Sequence, residues 1–375
     1  MNNSIGIYVH VPFCVQKCKY CDFCSFDKST QDVRADYVSA LCSELEREAA
    51  CVRERTVDTV FFGGGTPSLL SICELDKMLS VLHKNYNVQK NAEITLEMNP
   101  ATANKEKMKS MHQMGINRVS IGMQSSDDKE LELLGRIHTY SDFLRTFDDA
   151  RAAGFDSINA DVMYGIPSQT LSSLEKTLSS LTSLSLDHVS AYSLKIEEGT
   201  PFYSMRSELS LPCEDEEYGM YLLCTQMLSD AGYSHYEISN YAKKGKQSRH
   251  NLKYWRAEEY LGFGVSAYSY LDSKRYGNSR DISDYIKNGG RCTHTDVDEL
   301  DTNDKMSEYI MLAFRLREGV SEAEFYSRFG VSFSEKYESQ LNKFLNSEYM
   351  KHEDGRYFLT DKGMYVSNSI LVEFI

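Results

Sequence analysis

The chain has 375 residues, of which 41% are hydrophobic, and this length and apolar content predict a globular protein of about two domains. No apolar run is long enough to span a bilayer, which disfavours an integral membrane protein. Acidic residues outnumber basic ones by 55 to 41, and the net charge of -14 repels nucleic-acid phosphates and anionic lipid. Because no local basic patch offsets this charge, we expect no nucleic acid among the partners.

Short apolar strands alternate with amphipathic helical stretches from the N-terminus to residue 200. The predicted strands are Ile5 to Val9, Thr59 to Phe62, Glu93 to Glu97, Arg118 to Gly122, Ser157 to Met163 and His188 to Leu194. Between them apolar residues recur at helical spacing, as in Tyr37, Leu41 and Leu45, or Leu171, Leu174, Leu178 and Leu181. Six strand-helix units predict an α/β fold with a parallel sheet, either an open wound sheet or a partial barrel. In both architectures function lies at the C-terminal ends of the strands.

Three cysteines follow the first predicted strand in the stretch Cys14-x3-Cys18-x2-Cys21. Three closely spaced thiolates can bind three irons of a cubane iron-sulfur cluster, and the missing fourth cysteine leaves one iron open to an outside ligand. A structural zinc site is the main alternative, with His10 or Cys24 as its fourth ligand. Disulfides are less favoured, because the first residues carry no apolar export region. The remaining cysteines are typical of separate buried thiols: Cys42, Cys51, Cys73, Cys213, Cys224 and Cys292.

Glycine and polar residues follow several of the predicted strands. Gly63-Gly64-Gly65-Thr66-Pro67 follows the second strand, where backbone without Cβ atoms can approach a ligand and expose its amides, or simply form a tight turn. Glu97 ends the third strand, Gln124 follows the fourth and Asp161 lies in the fifth. Each alone is compatible with a helix cap or a satisfied core group, but together they predict a ring at one mouth. Arg136 either adds a charge for a carboxylate or is an exposed helix arginine.

The pattern changes after residue 300. Asp301 to Leu316, Ser321 to Phe329 and Ser334 to Asn346 predict three helices, and Tyr349 to Leu359 predicts a hairpin with its turn at Asp354-Gly355. This order is typical of a winged-helix-like α+β domain, which can bind DNA. Residues 301–375 hold 9 Lys and Arg against 13 Asp and Glu, and this excess of acid disfavours phosphate contacts. We interpret the domain as a cover or docking element over the mouth of the barrel.

These motifs together resemble the radical S-adenosylmethionine (radical SAM) superfamily. Within it, their order and spacing resemble the group of the oxygen-independent coproporphyrinogen III dehydrogenase over nearly the whole chain. The resemblance implies a partial (β/α)6 radical SAM barrel with a 4Fe-4S cluster on Cys14, Cys18 and Cys21, whose open iron is chelated by S-adenosylmethionine. The positions that match those holding this cofactor are Tyr8, Tyr20, Gly64, Gly65, Thr66, Glu97, Gln124, Arg136 and Asp161.

Two features resemble one branch of that group, the heme chaperone family HemW. The dehydrogenase has a further cysteine where this sequence has Phe23, and it has a long N-terminal arm, whereas Tyr8 lies near residue 1 here. The stretch from His250 to Trp255, which contains the single tryptophan, matches the His-Asn-x-x-Tyr-Trp motif of the chaperones. On physical grounds alone it is also compatible with an ordinary packed segment. The resemblance implies that heme is bound by His250, Asn251, Tyr254 and Trp255, with His250 as the first candidate iron ligand.

The sequence thus predicts a core barrel over residues 1–235, a connecting region with the heme motif over residues 236–300, and a winged-helix-like domain over residues 301–375. The expected function is delivery of heme to acceptor hemoproteins, some of them membrane-associated, and no catalytic residue is assigned. The alternative is an enzyme, either the coproporphyrinogen III dehydrogenase or another radical SAM enzyme acting on a tetrapyrrole, which would need a reductant protein. A winged-helix nucleic-acid regulator ranks far lower. We expect a cytoplasmic location, with visits to the membrane periphery, and either a monomer or a dimer.

Overall fold

The computed structural model describes residues 4–291 and 294–375, so Cys292 lies outside the described residues. Of the other cysteines predicted as separate buried thiols, Cys42 and Cys224 are buried, but the prediction is wrong for the exposed Cys51, Cys73 and Cys213. The first half of the chain alternates strands and helices, as predicted. Its strands are β1 (Ser4–Val11), β2 (Phe13–Cys14), β3 (Phe26–Asp27), β4 (Thr56–Gly64), β5 (Asn87–Met98), β6 (Arg118–Gln124), β7 (Ile158–Tyr164) and β8 (His188–Ser193). Its helices are α1 (Gln31–Glu48), α2 (Ile72–Asn85), α3 (Lys105–Gln113), α4 (Asp128–Leu134), α5 (Tyr140–Ala153) and α6 (Leu171–Thr182).

Local sequence explains where these helices begin and which face they bury. Ser71 precedes α2 and forms a capping box with Glu74, in which each side chain accepts a hydrogen bond from the backbone amide of the other residue. Helix α6 buries three of the four leucines predicted for its inner face, Leu174, Leu178 and Leu181. Leu171, in its first turn, is 46% exposed. The helical spacing therefore predicts the buried face correctly except at its N-terminal end.

Residues 201–299 contribute elements that the sequence pattern did not predict, most of them short. The helices are α7 (Pro201–Ser204), α8 (Glu214–Asp230), α9 (Arg249–Trp255) and α10 (Ile282–Lys287). The strands are β9 (Ser234–Glu237), β10 (Asn240–Ala242), β11 (Tyr260–Phe263), β12 (Tyr268–Leu271), β13 (Lys274–Asn278) and β14 (His294–Glu299). These strands are short and rich in polar residues and tyrosine, so they lack the apolar runs by which the barrel strands were recognised.

The barrel strands and these shorter strands form one sheet of 12 strands in the order β14-β13-β12-β11-β1-β4-β5-β6-β7-β8-β10-β9. Strands β1, β4, β5, β6, β7 and β8 are parallel neighbours and confirm the predicted partial barrel. Strand β11 pairs parallel with β1 on one edge, and β12, β13 and β14 follow it in antiparallel order. On the other edge β10 pairs antiparallel with β8. The connecting region therefore extends both edges of the barrel sheet.

The side chains of each barrel strand alternate between the surrounding helices and the interior of the barrel. In β1, Ile5, Ile7 and Val9 are fully buried in the apolar core. Tyr8 and His10 lie on the opposite face, and the Tyr8 ring stacks on Phe61 of β4 at a centroid distance of 6.2 Å. In β1, the polar side chains therefore face the interior of the barrel, and the apolar side chains face the surrounding helices. Among the described residues, none of the helices has both the length and the apolar composition needed to traverse a bilayer.

The C-terminal domain contains the predicted three helical segments and hairpin. Its helices are α11 (Thr302–Ala313), α12 (Glu322–Phe329), α13 (Phe333–Lys336), α14 (Glu338–Asn346), α15 (Asp361–Tyr365) and α16 (Ser367–Leu371). Its strands β15 (Val320–Ser321), β16 (Met350–Glu353) and β17 (Arg356–Leu359) form a small sheet. The backbone amide of Ile238 donates to the carbonyl of Arg315 at 3.0 Å, and that of Arg317 donates to Tyr236 at 3.1 Å. The domain is thus joined by backbone hydrogen bonds to the segment that forms β9.

Candidate functional site

The loop that carries Cys14, Cys18 and Cys21 leaves the C-terminal end of β1 and is tied to its surroundings by backbone hydrogen bonds. Strands β2 and β3 pair across its base. The amide of Lys19 donates to the carbonyl of Leu134 at 3.0 Å, and the amide of Phe202 donates to the carbonyl of Lys19 at 3.0 Å. The loop is therefore fixed between the end of α4 and α7, at the mouth where the sequence predicted a site.

Two side chains donate hydrogen bonds toward the cysteines that the sequence predicts as cluster ligands. The Thr66 hydroxyl lies 3.6 Å from Cys14 Sγ, and the Arg136 guanidinium lies 3.5 Å from Cys18 Sγ. Such donors and the positive charge favour the thiolate form that iron requires. Burial opposes them: it raises the pKa of the Cys14 thiol, and it raises the pKa of the Cys21 thiol to about 11. Iron binding would therefore release protons from this loop.

The zinc alternative requires several ligands to meet at one ion. Within the described part of the chain, no group of three or more His, Cys, Asp or Glu side chains is arranged to hold a single metal ion. His10, a proposed fourth ligand, has both ring nitrogens in hydrogen bonds, to the Tyr8 hydroxyl at 3.0 Å and to the Cys24 carbonyl at 2.8 Å. Three thiols that bind three different irons do not need such convergence. The donor set fits the cubane cluster better.

Arg136 connects the loop that carries the three cysteines (the cluster loop) to the ends of the neighbouring strands. Besides Cys18, its guanidinium donates to the Asn99 side-chain oxygen at 2.8 Å and to the Gly122 carbonyl at 2.6 Å. Asn99 in turn donates to the Thr66 hydroxyl at 2.9 Å. A Cβ on Gly122 would lie 2.6 Å from the guanidinium, so a side chain there would displace Arg136 from this position. Arg136 is therefore a half-buried part of the site rather than an exposed helix arginine.

Two carboxylates face the interior of the barrel near this network. Burial, reinforced by the charge of Asp161, raises the pKa of Glu97 to about 7, whereas the Gly64 amide and Arg118 oppose the shift. Burial also raises the pKa of Asp161, against hydrogen bonds from Ser120 and from Asn159, the latter at 2.7 Å. In the described residues, Arg118 Nε is a buried donor without a hydrogen-bond partner. Two acidic groups with raised pKa values at one mouth are typical of a ligand site.

The glycine turn at the end of β4 does not expose its backbone amides to a ligand, which was one of the two expectations for it. The amide of Gly65 donates to the Val11 carbonyl at 2.9 Å, that of Thr66 donates to Phe13 at 2.7 Å, and that of Gly64 donates to Glu97 at 3.1 Å. These three amides are therefore bonded within the protein. A Cβ on Gly65 would lie 2.8 Å from the Phe13 backbone, so this glycine is needed where the turn packs against the strand that bears Cys14.

The other predicted cofactor residues surround the same mouth. Tyr20, beside Cys21, packs on the small apolar cluster that includes Leu134 and Phe202. Burial raises its pKa, and the Arg136 charge opposes that shift, which places the phenol near the guanidinium. Gln124 is buried and has a positive φ of 66°. A strained non-glycine residue at a strand end is a recurrent feature of functional sites.

The heme motif lies on α9. Because residues four apart share a side of a helix, His250 and Tyr254 lie on one side, and Asn251 and Trp255 lie on another. His250 is 1% exposed and stacks on Phe61, with a centroid distance of 5.3 Å. Its Nδ1 is 2.8 Å from the Thr59 hydroxyl and its Nε2 is 2.8 Å from the Tyr254 hydroxyl. Burial and nearby cations lower the pKa of His250 to about 3. The imidazole is therefore neutral, and both of its nitrogens are occupied by hydrogen bonds in this conformation.

Trp255 lines three cavities, and two of them are also lined by another residue of the heme motif. The cluster-side cavity, of about 460 Å³, lies between the cluster loop and β11 to β13, and its lining includes Tyr8, Phe23, Cys24, Tyr254, Trp255, Tyr260, Tyr268, Arg275 and Arg280. The interdomain cavity, of about 730 Å³, lies between the ends of β7 and β8 and the C-terminal domain, and its lining includes Tyr192, Lys195, Glu217, Glu237, Asn240, Asn251, Trp255 and Arg315. The Trp255 ring packs against the Arg315 side chain, whose guanidinium carbon is 4.4 Å from a Trp255 ring centroid. The motif therefore separates two candidate ligand spaces.

Some residues of the site carried little or no signal in the sequence. Asn99 bonds both Thr66 and Arg136, and its position two residues after Glu97, at the end of a strand, was the available clue. Arg118 and His188 lie at the starts of β6 and β8 and lacked any such clue. The fully buried His188 contacts Asn159, which supports Asp161. These contacts depend on barrel closure, which places distant strand residues on one interior layer.

Comparison with family models agrees with this geometry. Residues 8–181 match the Radical SAM superfamily, and residues 300–366 match the HemN C-terminal domain. The solved structure of coproporphyrinogen III oxidase (HemN) from Escherichia coli covers 99% of this chain and 89% of its own with a TM-score of 0.85. At 21% sequence identity this likeness shows the fold. Fold and site together define a radical SAM protein with a HemN-type C-terminal domain.

Full-length relatives identify the family to which the chain belongs within this superfamily. It is 34% identical to "Heme chaperone HemW" of Bacillus subtilis over 98% of both chains. It is also 34% identical to "Heme chaperone HemW" of Escherichia coli, over 99% of this chain and 98% of the relative. The chain belongs to the HemW family.

Proposed function

We propose that this protein is a heme chaperone that binds heme, a 4Fe-4S cluster and S-adenosylmethionine, and delivers heme to acceptor hemoproteins. The observation that carries this proposal is the similarity to relatives named heme chaperone HemW at 31–34% identity along the full chain. The position of the His-Asn-x-x-Tyr-Trp motif supports it, because Tyr254 and Trp255 both line the cluster-side cavity. Aromatic walls suit a flat macrocycle.

We assign the cluster to Cys14, Cys18 and Cys21, with Thr66 and Arg136 holding two of the thiolates through the hydrogen bonds described above. When bound, S-adenosylmethionine on the open iron supplies one-electron chemistry. Glu97 and Asp161 suit its ammonium and ribose hydroxyls as hydrogen-bond acceptors. We assign Tyr20, Tyr8 and Gln124 to the same cofactor, and Gly64 and Gly65 bring the turn close to the cluster loop without Cβ clashes.

His250 remains our first candidate heme ligand, and the structure defines what ligation requires. The Nε2 lone pair must exchange the Tyr254 hydroxyl for iron, while Nδ1 keeps its bond to Thr59 and fixes the ring. Such a bond from the second nitrogen is the usual support of a metal-binding imidazole. Tyr254 would then turn its freed hydroxyl toward another partner, and Asn251 and Trp255 would remain on the wall of the interdomain cavity.

The second candidate function is oxidation of coproporphyrinogen III or of another tetrapyrrole. The full-length fold similarity to HemN favours it. Against it stands Phe23, which is 63% exposed at the position where the sequence pattern of the dehydrogenase has a cysteine. That reaction would also need a reductant protein to supply electrons.

Location and partners complete the proposal. We propose a cytoplasmic protein, monomeric or dimeric, that meets membrane-associated acceptors at the membrane surface. The excess of 13 acidic over 9 basic residues in the C-terminal domain supports a protein partner there rather than DNA.

The test is a heme-binding titration of the anaerobically reconstituted protein, followed by transfer to the apo form of a candidate acceptor. His250→Ala should weaken heme binding or shift the Soret band while leaving iron and sulfide content unchanged. His83→Ala, at an exposed position on α2, is the matched control. An unchanged heme spectrum and affinity in His250→Ala would move the ligand elsewhere, and failure of the wild type to bind heme would refute the proposal.

A further inference from the structure

We propose that Arg280 binds a carboxylate of the heme, and that the cluster-side cavity is where the carboxylate-bearing edge of the macrocycle is held. This inference rests on the proposed function and adds to it a specific anion-binding residue outside the heme motif. Arg280 lies between β13 and α10, a part of the connecting region far in sequence from both the cluster loop and α9.

The walls of the cluster-side cavity suit a flat apolar ligand with a charged edge. Tyr254 and Trp255 come from the heme motif, and Tyr260 and Tyr268 come from the two strands that follow it. The rings of Tyr254 and Tyr260 pack edge to face at 4.6 Å, which fixes one wall. Phe23, from the cluster loop, contributes a further aromatic surface that is 63% exposed.

Charge distinguishes the cluster-side cavity from the interdomain cavity. The lining of the cluster-side cavity carries two arginines, Arg275 and Arg280, against one carboxylate, Asp22. The interdomain cavity carries Lys195 and Arg315 against Glu214, Glu217 and Glu237. In a chain with a net charge of -14, the cluster-side cavity is therefore the better place for the two carboxylates of heme.

The two arginines differ in whether their charge is already paired. The Arg275 guanidinium pairs with Glu308 of α11 at 2.9 Å and lies over the Tyr270 ring, so its charge is already balanced. For Arg280, neither an ion pair nor a side-chain hydrogen bond occurs among the described residues. Its charge lowers the pKa values of Cys24 and Tyr268, although burial of Cys24 and the Asp296 bond of Tyr268 outweigh it. The free guanidinium thus lies beside two wall residues of this cavity.

The position of Arg280 is set by its neighbours in the chain. Asp281 caps α10 by accepting hydrogen bonds from the amides of Ser283 and Asp284, at 2.9 and 3.0 Å. The Asn278 side chain, two residues before Arg280, donates to Glu44 at 2.8 Å and to Gly264 at 2.9 Å. Arg280 therefore projects from a short segment that is fixed on both sides, which lowers the entropic cost of binding an anion.

The test compares heme with heme dimethyl ester, which lacks both free carboxylates. Each is titrated into the reconstituted protein in the same buffer while quenching of the single tryptophan, Trp255, is followed. The wild type should bind heme at least tenfold more tightly than the diester, the size expected of a charged hydrogen bond. Arg280→Gln should lose about tenfold in heme affinity and almost none in diester affinity, and Arg280→Lys should recover part of the loss.

Arg53→Gln is the matched control, because Arg53 is also exposed but lies outside the lining of this cavity. It should bind both ligands as the wild type does. If the wild type binds heme but Arg280→Gln retains the full preference for heme over its diester, the inference is wrong while the chaperone proposal stands. If the wild type binds neither ligand, the proposed function itself fails.

Discussion

Tyr254→Phe tests the buried hydrogen bond that holds the heme motif in place. The substitution removes only the hydroxyl, which lies 2.8 Å from His250 Nε2, and keeps the ring that packs on Tyr260. His250 is 1% exposed, so water cannot replace the lost partner without rearrangement. Leaving a buried polar group unsatisfied costs about 1–3 kcal/mol, and we therefore expect a loss of about 2 kcal/mol in the free energy of unfolding.

Urea unfolding followed by tryptophan fluorescence measures this loss where it occurs, because Trp255 directly follows Tyr254 in the same helix. With a denaturant slope of about 3 kcal/mol/M, the midpoint should fall by roughly 0.7 M. Tyr326→Phe is the matched control, since Tyr326 is 61% exposed, and it should change stability by less than about 0.5 kcal/mol. Equal midpoints for the two variants would refute the argument that this bond is buried and structural.

Heme binding by the same variant should change in the opposite direction. If His250 Nε2 ligates iron, Tyr254→Phe removes the hydrogen bond that competes with the metal, and iron would relieve the cost of about 2 kcal/mol that the unsatisfied nitrogen carries in the variant. Heme affinity should then rise up to about thirtyfold. A lower affinity, with an unchanged Soret band, would show that the Tyr254 hydroxyl itself supports the heme.

Three further predictions concern the cluster and its cofactor. Replacing any one of the three cluster cysteines by Ala should abolish the iron-sulfur absorbance after reconstitution, whereas Cys24→Ala should retain it; equal iron and sulfide contents in all four variants would contradict the ligand assignment. Arg136→Gln removes a positively charged hydrogen-bond donor to Cys18 and should shift the reduction potential of the cluster to more negative values. A redox titration followed by electron paramagnetic resonance measures this shift. An unchanged potential would show that the 3.5 Å contact is not maintained. Because the pKa of Glu97 is raised to about 7, its carboxylate loses its charge progressively as the pH is lowered from 8 to 6, and the affinity for S-adenosylmethionine should fall over that range. Glu97→Gln should bind weakly with no such dependence in equilibrium dialysis, and a parallel pH profile in both proteins would exclude this role.

The core of the fold could be predicted because each barrel strand carries its own apolar signal. Strands β1 and β6 and the inner face of α6 follow directly from periodicity, and the cysteine spacing alone located the cluster loop. The edge strands β9 to β14 could not be predicted in this way. Strands β10 and β11 are buried but only three and four residues long, and β9, β12, β13 and β14 are partly or wholly exposed, so each is held largely by pairing within the sheet.

The site was predictable as a set of residues but not as a network. Chain order shows that Glu97 and Arg136 follow strands, yet only barrel closure shows that Asn99 joins Arg136 to Thr66. The sequence likewise placed His250 in a heme motif without showing that both of its ring nitrogens are bonded. Those bonds depend on Thr59, which lies 191 residues away in the chain.

The central claim is that this protein carries heme rather than converting a porphyrinogen. The most direct measurement is an anaerobic assay of the reconstituted protein with S-adenosylmethionine and a reductant, given coproporphyrinogen III in one vessel and heme in the other. We expect no porphyrin product in the first vessel, and in the second, tight heme uptake that is lost in His250→Ala. Porphyrin formed together with stoichiometric 5'-deoxyadenosine would make the protein an enzyme and contradict the account.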